Sequence, residues 1–241
     1  MLKRNILLGS AFVMTLGTGV ILAGTPFGGD DGGFIPPDAP KGPITKCEGN
    51  VGKGVGKLVG AIIKCHAGRV TGKYASDAAE DACEATALTK FNATKTVGCP
   101  PCITLAGIGA TVEALVDSNN NKVYCSSPGS AFLGDDTGFI PADAPKGPIS
   151  KCENTVGKGV GKLIAAIVKC HAGRATGKYP DDATEDGCEA TALTKFGTTK
   201  TVGCDVCTSL ASLGAFVEAT ADGANALVYC ASPSGAFLDL P

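Results

Sequence analysis

The residues able to do chemistry in this chain are twelve cysteines, two histidines and several acidic pairs. Cys99-Pro-Pro-Cys102 has the CxxC spacing of thiol–disulfide reagents, in which a helix N-terminus lowers a thiol pKa. The spacing recurs as Cys204-Asp-Val-Cys207, but there Asp205 opposes thiolate formation by like-charge repulsion, so structural bridges are expected at both places. Cys65-His66 and Cys170-His171 lack the CxxCH of covalent haem. One histidine for each six cysteines cannot build a His-rich site, and oxidised cysteines are not thiolate ligands. His66 falls at the edge of an apolar face and reads as a capped or half-buried side chain. Asp30-Asp31, Asp135-Asp136 and Asp117-Ser-Asn-Asn-Asn121 lack EF-hand spacing and read as solvated loops. No nucleophile elbow, paired-carboxylate motif or phosphate loop stands out. The expectation is therefore no catalytic residue, no metal and no cofactor.

What positions these residues is a duplication. Shifted by 105 positions, the chain aligns with itself from Gly29 to Leu238 with about 70% identity. FIPPDAPKGPITKCE at 34–48 returns at 139–153, and KCHAGR at 64–69 returns at 169–174. Each copy holds six cysteines: Cys47, Cys65, Cys83, Cys99, Cys102 and Cys125, then Cys152, Cys170, Cys188, Cys204, Cys207 and Cys230. Small exported modules with six cysteines are disulfide scaffolds. Export itself is read from residues 1–24, where Lys3 and Arg4 precede an apolar stretch and small residues, the layout of a signal peptide. The location expected is secreted, periplasmic or cell envelope, with no stable membrane span after cleavage. Lys and Arg total 21 against 23 Asp and Glu, so no basic field draws in nucleic acid.

The fold class expected is all-α: two tandem disulfide-stapled antiparallel bundles of about three helices each. The boundaries are a signal peptide over 1–24, a Pro/Gly-rich arm over 25–44, repeat 1 over 45–133, a linker arm over 134–149 and repeat 2 over 150–241. Thr45-Lys-Cys-Glu48 and Ser150-Lys-Cys-Glu153 fit a capping box opening a long helix. Cys47, Val51, Val55, Leu58, Ile62 and Cys65 share one face of it. A second helix starts near Asp77 and carries Cys83, Ala87, Leu88 and Phe91 inward. A third opens at the CxxC with proline in its first turn, and Val123-Tyr124-Cys125 returns extended. In a hairpin turning near Tyr74, Cys65 and Cys83 lie level and should pair, as should Cys170 and Cys188. The other four leave three options open: 47–99 with 102–125, 47–102 with 99–125, or 47–125 with 99–102. The Phe139-Ile140-Pro141 arm is expected to lie extended against a helical module.

Two lines on the first helix look outward or to a partner. Lys46, Lys53, Lys57 and Lys64, repeated as Lys151, Lys158, Lys162 and Lys169, form a stripe opposite the cysteine seam, suited to solvent or to an anionic envelope polymer or protein. Gly49, Gly52, Gly56 and Gly60, with Gly157, Gly161 and Ala165, form a second line. Each helical glycine costs roughly 1 kcal/mol, so several retained together imply a closely approaching backbone, from the third helix, an arm or another chain. The pattern FIPPD, KCE, KCH, CE…KF and GCPPC resembles uncharacterised exported bacterial cysteine-rich helical modules. That resemblance covers both repeats and implies an envelope or extracellular location and no activity. The function expected is a secreted, non-enzymatic structural or binding protein, with self-association possible through the Phe-Ile-Pro arms. The alternatives are a thiol–disulfide protein using Cys99 and Cys102, or a membrane-active cationic helix, since GKGVGKLVGAIIK alone resembles an amphipathic peptide.

Overall fold

The computed structural model describes residues 25–204 and 209–232; the expected signal peptide and Cys207 lie outside the described residues. Among the described residues the protein is all-α apart from two small hairpins. Each repeat opens with a 28-residue helix, α1 (Pro43–Val70) and α4 (Pro148–Ala175), with proline in the first turn where no amide donor is missed. Their N-termini are capped from outside. The Asp38 carboxylate accepts from the Ile44 and Thr45 amides at 2.7 and 2.9 Å and from the Thr45 hydroxyl, and Asp143 repeats this on Ile149 and Ser150. This corrects the capping boxes. Glu48 and Glu153 are free to turn elsewhere because an aspartate upstream already serves the orphan amides.

The shorter helices are α2 (Asp77–Asn92) and α5 (Asp182–Phe196), capped by the side chains of Ser76 and Asp181. The last pair is α3 (Leu105–Ser118) and α6 (Leu210–Gly223). The expectation that α3 opens at the CxxC is also corrected. Cys99 bonds Cys47 while Cys102 bonds Cys230. One helical turn would put both thiols on the same face, so the motif forms a turn before the helix. Residues 123–125 are likewise no strand: a 3-10 turn, Asn120–Lys122, leads into them. The strands lie in the arms, β1 (Pro26–Gly28) with β2 (Asp31–Phe34) and β3 (Gly129–Ala131) with β4 (Phe139–Pro141), each pair antiparallel.

The repeats are not beads on a string. α1 and α4 cross antiparallel at their glycines: a Cβ on Gly56 would meet the Ala165 Cα at 3.4 Å, and one on Gly161 would meet the Gly60 Cα at 3.5 Å. The backbone implied by the glycine line therefore belongs to the matching helix of the other repeat. A single apolar core joins Val51, Ile62 and Val112 to Val156, Ile167 and Val217. Along the seam it leaves a cavity of about 140 Å³, lined by residues such as Val59, Ile108, Val160 and Leu213 and reaching both His66 and His171.

Cystines reinforce the arrangement. Cys65–Cys83 and Cys170–Cys188 clamp α1 to α2 and α4 to α5, and Cys47–Cys99 and Cys152–Cys204 tie the helix starts to the loops before α3 and α6. Cys102–Cys230 joins the two repeats across 128 residues. All three pairings left open within a module are thereby corrected, although the first contains the bond Cys47–Cys99. The modules pack face to face, so the nearest partner of Cys102 lies in the other copy. Cys125 is also disulfide-bonded.

Candidate metal centre

Each first helix carries its histidine, His66 or His171, inward one residue after a cystine. Across from it, α2 presents Glu80 and Glu84 one turn apart on one face, and the end of α3 presents Asp117. An arm supplies the fourth carboxylate, Asp136, from the turn between β3 and β4. The Nε2 of His66 stands 2.9 Å from Asp136 Oδ1, 3.0 Å from Glu84 Oε1, 3.3 Å from Asp117 Oδ1 and 3.6 Å from Glu80 Oε1. In repeat 2 the His171 Nε2 stands 2.9 Å from Asp31, 3.0 Å from Glu189, 3.3 Å from Asp222 and 4.0 Å from Glu185. No side chain in either set is more than 5% exposed.

These atoms are close without being hydrogen-bonded. Both Nε2 atoms, and the oxygens of Glu84, Asp117, Asp136, Glu189, Asp222 and Asp31 that face them, are buried with no hydrogen-bond partner. Donor atoms about 2.1 Å from a common ion stand about 3.0 Å apart along an octahedral edge and about 3.4 Å apart along a tetrahedral one. The three shortest contacts in each repeat have that spacing. His66, Glu84, Asp117 and Asp136, and likewise His171, Asp31, Glu189 and Asp222, offer donor atoms all within 4.8 Å of one another.

Four carboxylates around one imidazole, away from water, cannot all be ionised without a cation. Burial alone would depress His171, but Asp222, Asp31 and Glu189 push it up to about 11; His66 is held well above its ordinary value by the equivalent neighbours. Burial, followed by the contact with the arm aspartate and the charge of the next glutamate, pushes Glu80 and Glu185 up to about 10. Burial also raises Glu84, Glu189, Asp117 and Asp222. The cluster holds protons wherever no metal ion replaces them.

The aromatic residue of each arm closes one side. Phe132 packs edge-on against His66 and tilted against Tyr124, and Phe27 does the same with His171 and Tyr229. Arm docking is backbone-driven. The Phe139 amide donates to the Tyr124 carbonyl and the Phe34 amide to the Tyr229 carbonyl, both at 2.9 Å. Gly138 and Gly33, at φ +102° and +92°, sit against those same carbonyls, where a Cβ would clash.

No family model, curated protein or solved structure matches the chain.

Several expectations are therefore corrected. His66 is not at an apolar edge but at the centre of an acidic cluster. Asp31, Asp117 and Asp136 are not solvated, and donor atoms grouped closely enough to hold a metal ion lie where none were expected. The donors escaped notice because they come from three helical segments and an arm, with no short spacing between them. A signal was nevertheless present: His66, Glu80, Glu84 and Asp117 are unchanged in the second copy and Asp31 matches Asp136, although about 30% of aligned positions differ.

The lysine stripes are exposed over all eight positions. Lys53 and Lys57 meet Lys90 of α2 and Lys95 of the loop that follows it around a groove of about 440 Å³ lined by Phe91. The CxxC thiols are committed to separate cystines.

Proposed function

We propose that this chain is an exported, disulfide-stapled protein that binds first-row divalent metal ions, with one His/carboxylate centre in each repeat. The observation that carries this reading is the grouping of buried, hydrogen-bond-free donors: in both repeats the Nε2 stands 2.9 to 3.3 Å from three carboxylate oxygens, and all four atoms lie within 4.8 Å of one another. One imidazole among carboxylates is a hard, oxygen-dominated set. It suits Mn²⁺, Fe²⁺ or Zn²⁺ and offers nothing to a thiophilic ion. The donors lie out of contact with solvent, as in closed structural or storage sites rather than catalytic ones. That supports binding rather than turnover. Export is supported by the leader-like residues 1–24 and by cystines of a density typical of oxidising compartments.

The test is metal binding by the whole mature protein after chelator treatment. Mn²⁺ in equilibrium dialysis is expected to bind saturably, and the double change His66→Ala with His171→Ala is expected to abolish this. Binding that is absent, or indifferent to both substitutions, overturns the reading.

The groove of four lysines supports a second, separable property, adhesion to an anionic envelope polymer or protein. Such binding would fall with salt and with Lys53→Glu and Lys57→Glu, while leaving metal content unchanged.

A further inference from the structure

Repeat 1 holds more buried carboxylate than a single ion uses. Asp77 and Glu80, on the first turn of α2, close with Asp136 into a second donor set whose oxygens lie within 4.8 Å of one another. Asp136 belongs to both sets. Glu80 is fully buried with neither oxygen hydrogen-bonded, and Asp77 Oδ1 is buried and unpartnered as well. Residues 77, 80 and 84 follow helical spacing down one face of α2. The helix therefore presents all three carboxylates to the arm aspartate, Asp77 and Glu80 in one set with it and Glu84 in the other.

Charge points the same way. Glu80, Glu84, Asp117 and Asp136 surround one imidazole, and Asp77 adjoins Glu80 and Asp136. A single divalent ion would leave a formal charge of about −3 in a site walled by the apolar seam, whereas two would leave about −1, far less costly to bury. Asp81, Asp135 and Glu113 lie close enough to add their fields to the same region.

We propose that repeat 1 carries a dinuclear centre: one ion on His66, Glu84 and Asp117, a second on Asp77 and Glu80, and the carboxylate of Asp136 bridging them. A carboxylate bridge sets such ions about 3.5–4 Å apart. The proposal rests on the metal-binding reading above. It is confined to repeat 1 because, among the described residues, only there do the oxygens of the second set, those of Asp77, Glu80 and Asp136, come within 4.8 Å of one another.

The experiment uses the intact protein, stripped with chelator, loaded with Mn²⁺ and dialysed, with manganese counted against protein and examined by electron paramagnetic resonance. The expected result is three ions per chain. Only one of them should give the six-line signal of an isolated ion, the other two being exchange-coupled. Glu80→Gln should lower the count to two and make the isolated-ion signal account for all the bound metal. Two isolated ions in the unaltered protein would overturn the dinuclear centre and leave single-ion binding intact, Glu80 then sharing a proton with Asp136. No bound ion would overturn both readings. The resonance spectrum of the unaltered protein decides the matter even if Glu80→Gln does not fold.

Discussion

Tyr124 and Tyr229 occupy matching places at the back of the two arms, yet only one has a partner for its hydroxyl. Tyr124 donates to Asn154 Oδ1 at 2.8 Å, whereas the buried Tyr229 hydroxyl is unpartnered. The difference traces to one substitution between the copies, because the position matching Asn154 is Gly49. A Cβ on Gly49 would meet nothing within 4 Å, so an asparagine has room there. Gly49→Asn is expected to raise the free energy of unfolding by about 1 kcal/mol, combining a hydrogen bond to a buried donor with the relief of a helical glycine. Urea denaturation with the cystines intact measures this. An unchanged or lower stability would mean that the new amide does not reach the hydroxyl.

At the scale of elements, the long helices were legible and their neighbours were not. Cys47, Val51, Leu58, Ile62 and Cys65 are all buried, as the helical period requires, and the level placement of Cys65 and Cys83 follows from two helices meeting at a short turn. The identity of the partner helix was hidden. A glycine line records only that some backbone comes near, and in a duplicated chain every surface that suits its own repeat can also suit the other. The capping motif misled for a related reason, since its glutamates serve the interface. Glu48 accepts from the Ala231 amide at 3.3 Å, and Glu153 accepts from the Cys125 and Ser126 amides and the Ser126 hydroxyl. Burial, only partly offset by the amides of Ala231 and Cys230, pushes Glu48 up to about 8 from an ordinary 4.5, and burial raises Glu153 as well. A carboxyl raised in the folded state holds a proton that the unfolded chain has released. The stability linked to Glu48 is thus complete below pH 4.5 and is lost as pH climbs towards 8. Thermal unfolding of the metal-free protein should show its midpoint falling across that window, and Glu48→Gln with Glu153→Gln should flatten the fall. A slope unaffected by the pair would show that these carboxyls do not govern it.

The whole molecule is closed by its first arm. The hairpin between the repeats supplies Phe132 and Asp136 to repeat 1, which precedes it, and the hairpin before repeat 1 supplies Phe27 and Asp31 to repeat 2, at the other end of the chain. The last residues of repeat 2 begin the arm motif again as Ala236-Phe237-Leu238, but Leu240 and Pro241 stand where the linker has Asp135 and Asp136. Among the described residues it is the first arm that brings an aspartate, Asp31, to His171, and the Cys102–Cys230 bond ties the two repeats together. This crossing makes a prediction that a string of independent modules would not. In a background of His66→Ala with Glu80→Gln, which leaves the centre of repeat 2, Asp31→Asn should weaken Mn²⁺ binding at least about tenfold, and Asp136→Asn should leave it unchanged. In a His171→Ala background the two substitutions should exchange their effects. Calorimetric titration of the four variants reads this directly. If Asp31→Asn instead weakened the centre containing His66, each arm would serve the repeat that follows it in sequence, and the closed arrangement would be wrong.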